Sequence, residues 1–215
     1  MSEWDIVTEA VTEHAVALRT MSTHGEIYKW AKDNDLTSRT LFPKLKAQLR
    51  KQLGIDYEQL RESATEQRAE ELAVAAAEAP QIVLWVAADA EAGSFAVCDS
   101  EGEALWYGTF HPDDRYYRKG DQVSASLSAA EKAVYIAGQA RREAELDTVR
   151  LRLLISDHRV DTTTLTGSGV TARVLIHLKV SESQNPALDW CRAPGFKSWR
   201  ESRLDTLIGD AEAPQ

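Results

Sequence analysis

Residues 82–88 read Ile-Val-Leu-Trp-Val-Ala-Ala and are followed directly by Asp89. A continuous apolar run of this length is typical of a strand that is buried on both faces of a sheet. Residues 94–98 and 105–110 follow after short turns, and together with the first run they predict an antiparallel meander of three strands. The stretch therefore predicts the central strand of an α/β domain, with an acidic residue at its end.

The pattern after the meander predicts two more strands and two helices. They are a helix over 128–145, a strand over 150–156, a strand over 174–180 and a last helix from about Asn185. Ser126 or Ser128 would cap the first of these helices. Because the strand over 150–156 follows a helical crossover, we expect it to run parallel to the first strand.

The N-terminal residues 1–60 predict a small all-helical domain. Leu41, Leu45, Leu49 and Leu53 recur every four residues, as on the buried stripe of a helix that stops at Gly54. The same region is rich in basic residues, which are Arg39, Lys44, Lys46, Arg50 and Lys51. A short turn before a basic helix is a helix-turn-helix-like arrangement that would bind nucleic acid or a partner. The alternative is an ordinary solvated face of an amphipathic helix.

The composition indicates a globular chain in four parts. They are the helical domain 1–60, a Glu/Ala-rich helical linker 61–80, an α/β domain 81–205 and an acidic tail 206–215. The formal net charge of −9 by itself argues against nucleic-acid binding. The two cysteines predict reduced thiols. We expect a cytoplasmic protein, because there is neither a signal-peptide pattern nor an apolar run of roughly 20 residues.

Four acidic residues stand at positions where the predicted fold brings them to one place. Asp89 and Asp157 end two apolar strands, Glu131 lies inside the first predicted α/β helix, and Asp189 lies in the last one. Carboxylates that share a partly buried cleft repel each other unless cations are present, and Mg²⁺ or Mn²⁺ prefers such oxygens. Each acid alone is equally typical of a turn, a cap or a solvated helix face. Other acids lack such placement and are predicted to lie on the surface, namely Asp99, Asp113, Asp114 and Asp161.

Three short strings resemble ribonuclease H of type 1. They are Ala130-Glu131 with Ile136-Ala-Gly138, Leu154-Ile-Ser-Asp157, and Asn185-Pro-Ala-Leu-Asp189. Together with the order of the elements they resemble this family over about residues 81–195. The resemblance implies an α/β, ribonuclease H-like mixed five-stranded sheet with flanking helices.

The resemblance also implies a chemistry. Asp89, Glu131, Asp157 and Asp189 would hold two Mg²⁺ (or Mn²⁺) ions, and the protein would be an endonuclease that hydrolyses the RNA of RNA–DNA hybrids. Asn185 would help to set the start of the last helix. The alternative is a catalytically inactive ribonuclease H-like module that binds nucleic acid or protein. The pattern gives no oligomeric state.

Several departures from the family favour that alternative. Ala90 stands where the family has Gly, Leu127 and Ser128 stand where it has Asn, and His158 replaces Ser. The short interval after Val160 would also remove the second helix and the basic substrate handle. A basic aromatic loop would replace the handle in contacting nucleic acid. Its residues are Arg115, Tyr116, Tyr117, Arg118 and Lys119.

Overall fold

The structure, a computed structural model, describes residues 2–181 and 185–209. It divides into two compact units, Met1–Gln67 and Arg68–Gln215. The predicted linker 61–80 lies mostly in one helix, α5 (Tyr57–Ala75), that crosses the boundary between the units. Of the predicted acidic tail, residues 210–215 lie outside the described residues.

The first unit is all-helical, as the sequence predicts. Its further helices are α1 (Glu3–Glu13), α2 (Ala15–Thr20), α3 (His24–Asp33) and α4 (Leu41–Gln48), the last continued by a π-helical turn over Leu49–Leu53. Leu45 and Leu49 of the predicted leucine stripe are fully buried, and Gly54 ends the helix with a φ of +69°. Residues 34–40 separate α3 from α4, which is longer than the turn of roughly 3–4 residues in a helix-turn-helix motif.

The second unit contains a five-stranded mixed sheet. Its strands are β1 (Gln81–Asp89), β2 (Ser94–Cys98), β3 (Ala104–Thr109), β4 (Val149–Ile155) and β5 (Val174–Val180). They lie in the order β3-β2-β1-β4-β5, with β1 to β3 antiparallel and with β4 and β5 parallel to β1. The meander and the parallel crossover predicted from the sequence are therefore confirmed.

Helices cover both faces of this sheet. They are α6 (Gln122–Glu143), α7 (Thr162–Ala172) and α8 (Ala187–Arg192). Ile82 and Leu84 of β1 pack with Ile136 of α6 in the larger core, whereas Ala87 of β1 packs with Ala187 of α8 in a smaller cluster. Successive strand residues point to opposite faces, so the continuous apolar run of β1 fills both cores.

Two helices differ from the sequence prediction. α6 begins at Gln122 rather than near Ser128, because Asp121 is its N-cap and accepts hydrogen bonds from Val123 N–H (3.0 Å) and Ser124 N–H (3.3 Å). α7 occupies the interval that was expected to leave little room for a helix. Its N-cap Asp161 accepts a hydrogen bond from Thr164 N–H at 3.0 Å.

Within the described part of the chain, every helix is too short or too polar to serve as a membrane-spanning segment.

The two glycines of α7 predict opposite effects of alanine. Gly169 is buried, and a Cβ there would lie 2.8 Å from the Val174 carbonyl oxygen, whereas a Cβ at Gly167 would meet nothing within 4 Å. We expect Gly169→Ala to lower the free energy of unfolding by about 1–3 kcal/mol through overpacking. Gly167→Ala should raise it by about 0.5–1 kcal/mol through helix propensity. Urea unfolding of both variants measures the difference, and equal effects would contradict this packing of α7 on β5.

Candidate functional site

A cleft opens at the carboxyl ends of β1 and β4. The two strands are parallel neighbours, but the chain leaves β1 toward β2 and leaves β4 toward β5, on opposite sides. Such a switch in direction leaves a crevice at the strand ends, where α/β proteins commonly bind ligands. The cleft has a volume of about 430 Å³. Its lining includes Ala88, Gln122, Ser126, Asp157, Arg159 and Leu188.

Asp157 lies in this cleft as the sequence predicts, but an arginine binds its carboxylate. Arg159 Nε donates to Oδ1 at 2.9 Å and a second guanidinium nitrogen donates to Oδ2 at 2.9 Å. The backbone N–H of Arg159 (3.1 Å) and the hydroxyl of Ser126 (3.3 Å) donate as well. The side chain of Asp157 is 9% exposed and that of Arg159 is 51% exposed. The hydrogen bonds from Arg159 lower the pKa of Asp157 despite its burial.

The first two turns of α6 bring an amide and a hydroxyl to the cleft. Gln122 Nε2 donates to the Ala88 carbonyl (2.8 Å), and Gln122 Oε1 accepts from Ala90 N–H (3.1 Å). Ser126 is four residues further on and therefore lies on the same face of the helix. The sequence gives no signal for Gln122, and it predicts Ser126 only as an alternative N-cap of this helix. Asp121, a good N-cap residue just before them, is the signal that would have placed the helix start.

Asp89 closes the turn from β1 into β2. Its Oδ1 accepts hydrogen bonds from Glu91 N–H at 3.1 Å and Ala92 N–H at 2.9 Å. Burial raises the pKa of the nearby Cys191 thiol to about 12, and the negative charge of Asp89 is the second largest cause of this increase. Asp89 is thus the last residue of β1, at the predicted strand end, and its Oδ1 atom stabilises the turn.

Glu131 lies on another side of α6 from Ser126. Five residues at 3.6 residues per turn rotate its side chain well away from that of Ser126. Glu131 sits beside Tyr116, whose pKa is raised by burial and then by the charge of Glu131. Its Oε1 atom is buried without a hydrogen-bond partner.

Asp189 is exposed on the short helix α8, while Asn185 before that helix is buried. Asn185 Nδ2 donates to the Val86 carbonyl (2.8 Å) and to the Ser156 hydroxyl (3.2 Å), and Oδ1 accepts from Ala187 N–H (3.0 Å). Asn185 therefore helps to set the start of α8, as the resemblance implies.

The four acids have separate surroundings. Across residues 2–181 and 185–209, no three His, Cys, Asp or Glu side chains are grouped closely enough to hold a metal ion. The arginine on Asp157, and the amide and hydroxyl that α6 contributes, do not fit a carboxylate cage for Mg²⁺ or Mn²⁺. The metal site at Asp89, Glu131, Asp157 and Asp189 stays a prediction that this geometry does not support.

The loop between β3 and α6 uses its aromatic and basic side chains to fold. Tyr117 stacks on Phe110 with ring centroids 4.3 Å apart and donates its hydroxyl to the Ala90 carbonyl at 3.0 Å. The guanidinium of Arg118 donates to loop carbonyls, and Arg115 lies 5.2 Å from the ring centre of Tyr116. Tyr116 and Tyr117 are half-buried by these contacts, whereas Arg115, Arg118 and Lys119 stay exposed, so the contact of this loop with nucleic acid stays a prediction.

Asp114 anchors this loop and is not the surface residue that the sequence predicts. Its carboxylate, 10% exposed, accepts hydrogen bonds from Lys132 Nζ (2.6 Å) and from the Ser128 hydroxyl (2.7 Å). Burial alone would raise its pKa, but Lys132, Tyr117 N–H and Ser128 outweigh that effect and lower the pKa of Asp114 to about 2. Lys132 also lies over three aromatic rings, 4.8 Å from the centre of Phe95.

Most of the basic residues predicted to bind nucleic acid in the first unit face acids. Lys44 pairs with Glu3, Lys46 pairs with Glu58, and Arg50 pairs with Asp56 at 3.6 Å. Arg39 and Lys51 are exposed. The ion pairs reduce the positive potential that a nucleic acid would meet.

Comparison of the chain with family models, curated proteins and solved structures found no significant match.

Replacing Arg159 should raise the pKa of Asp157. In Arg159→Gln the charged hydrogen bonds are lost, so we expect this pKa to move up toward its ordinary value of 3.8. In the wild type the ion pair stabilises the fold at pH values above 3.8, and this stabilisation is lost as the pH falls through the lower pKa of folded Asp157. The stabilisation should be smaller in the variant. NMR titration of the Asp157 carboxyl carbon measures the pKa. Arg142→Gln, on the exposed end of α6, is the matched control, and an unchanged Asp157 pKa would contradict the pairing.

Asp114→Asn should lower the free energy of unfolding at pH 7 by about 1–3 kcal/mol, because Lys132 is left buried without its counterion. The pKa of Asp114 in the folded protein is about 2. The wild type should therefore have the larger free energy of unfolding at pH values above 3.8, the ordinary pKa of aspartate, and this difference should disappear as the pH falls through 2. Urea unfolding at pH 7, 4 and 2.5 follows this trend. Asp113→Asn, whose side chain is 93% exposed, is the control and should change little.

Proposed function

We propose that the second unit is a ribonuclease H-like module that binds its target without cleaving it. The order of elements, β-β-β-α-β-α-β-α, supports the fold part of the proposal. α7 supports it further, since the interval that was expected to leave little room for a second helix contains one.

One observation carries the proposal that the module does not cleave. The carboxylate of Asp157 accepts hydrogen bonds from two guanidinium nitrogens of Arg159, and α6 presents Gln122 and Ser126 to the cleft where the resemblance implies an acid. A guanidinium at this distance already neutralises the carboxylate that a metal ion would need. Hydrolysis of the phosphodiester by two metal ions depends on such carboxylates. The cleft is therefore suited to binding rather than to cutting.

A metal-dependent nuclease is the second candidate, and one feature favours it. Asp89 is the last residue of β1 and Asp157 follows β4, and the two parallel strands have their last shared pair, Val86 and Ile155, at this end of the sheet. This placement agrees with the resemblance for two of the four acids.

A cleavage assay separates the two functions. A labelled RNA–DNA hybrid is incubated with the full-length protein in Mg²⁺ or Mn²⁺, beside Asp89→Asn and Asp157→Asn variants and a ribonuclease H as positive control. Because Arg159 neutralises Asp157, we expect the hybrid to stay intact with the wild type and with both variants, whereas the ribonuclease H control cleaves it. Metal-dependent cleavage by the wild type that both variants abolish would contradict the binding-only proposal and establish the nuclease.

A further inference from the structure

A segment after α8 combines basic and aromatic residues. Residues 192–200 read Arg-Ala-Pro-Gly-Phe-Lys-Ser-Trp-Arg, with three basic residues and no acidic one, in a chain whose net charge is −9. We call these residues the strap. Arg192, Phe196 and Arg200 are exposed, and Phe196 is 77% exposed despite being a large apolar side chain. An exposed aromatic ring between exposed arginines is the composition of surfaces that contact nucleic-acid strands.

The strap is fixed on β3 by backbone and side-chain contacts. Tyr107 N–H donates to the Lys197 carbonyl at 3.2 Å, and Lys197 N–H donates to the Tyr107 carbonyl at 3.0 Å. Lys197 Nζ donates to the Ala104 carbonyl at 2.5 Å. Gly108 has a φ of +150°, and a Cβ there would lie 3.1 Å from the Cβ of Phe196. The backbone that carries the exposed ring is therefore fixed on the sheet, which reduces the backbone entropy lost on binding.

A pocket lies between the strap and β3. It has a volume of about 450 Å³, within the range of roughly 300–1,000 Å³ that small-molecule sites occupy. Its lining includes Trp106, Tyr107, Thr109, Phe196, Lys197 and Ser198. Flat rings and a few hydroxyl groups are suited to a planar heterocycle that also forms hydrogen bonds at its edge. The pocket lies at the outer edge of the sheet and is lined by residues other than those of the cleft with Asp157.

We infer that the strap and β3 bind single-stranded nucleic acid. A base stacks on Phe196 and reaches the pocket, while Arg192 and Arg200 contact the flanking phosphates. The strand is single because the bases of a duplex are stacked on one another and cannot present their faces to a protein ring. An acidic peptide would meet the same arginines but has no planar base to stack on Phe196. The inference rests on the proposed binding function and names its partner and surface.

Fluorescence anisotropy with labelled dT20 and U20 tests the inference on the full-length protein in EDTA. Phe196→Ala should weaken binding at least about fivefold, the lower end of the effect of base stacking on an aromatic ring. Arg192→Ala with Arg200→Ala should flatten the dependence of log affinity on log salt by about 1.4, since each phosphate contact to a single strand contributes about 0.7. A matched double variant, Arg68→Ala with Arg142→Ala, removes two exposed arginines elsewhere and should leave the slope unchanged.

The inference would be overturned by an absence of salt-dependent binding of the single strands, by equal weakening in the strap and control variants, or by tighter binding of a matched duplex. Displacement of the strands by poly-glutamate, with Phe196→Ala unchanged, would identify an acidic peptide as the partner and reject the inference. Thermal melts of each variant show whether the fold is kept. Cleavage of the same probes after addition of Mg²⁺ would contradict the proposed function alone, because the anisotropy is recorded without metal.

Discussion

The side-chain amide of Gln122 fixes α6 against the end of β1, and the geometry of the cleft depends on this contact. One end of the amide donates to the Ala88 carbonyl and the other accepts from Ala90 N–H. Because these two groups lie at the end of β1, the contact fixes the position of the first turn of α6 relative to that end of the strand. Ser126 then reaches Asp157, and Glu131, five residues further along, lies on another side of the helix.

The cleft balances its charge internally. A carboxylate that is 9% exposed is costly to keep ionised unless a cation and hydrogen bonds compensate for the lost water. Arg159 supplies both, from a position two residues along the same loop. The same solution recurs in the loop before α6, where Lys132 compensates Asp114 and three aromatic rings surround the ammonium group. In both places a carboxylate stabilises local structure and has its charge met by a neighbour.

β1 could be predicted from the sequence because its apolar run is continuous, and β5 because apolar residues alternate along it. The side of α6 that faces the cleft could not be predicted, because an alanine-rich helix is apolar around most of its surface and the pattern indicates no single buried face. α7 was missed because threonine and glycine have low helix propensity, and its helix depends on the Asp161 cap and on packing against β5. The partners of Asp114 lie 14 and 18 residues away, a distance at which no local pattern predicts contact.

The distance along the sequence between the members of an ion pair also determines where the chain can accept insertions and deletions. Asp157 and Arg159 lie on one short stretch of backbone, so insertions elsewhere leave their pairing intact. Asp114 and Lys132 are joined by a loop and a helix start, and any insertion or deletion between them moves one partner away from the other. Surface loops normally vary in length among related proteins. The buried ion pair of Asp114 makes this loop an exception, a segment whose length is constrained as strictly as that of a core element.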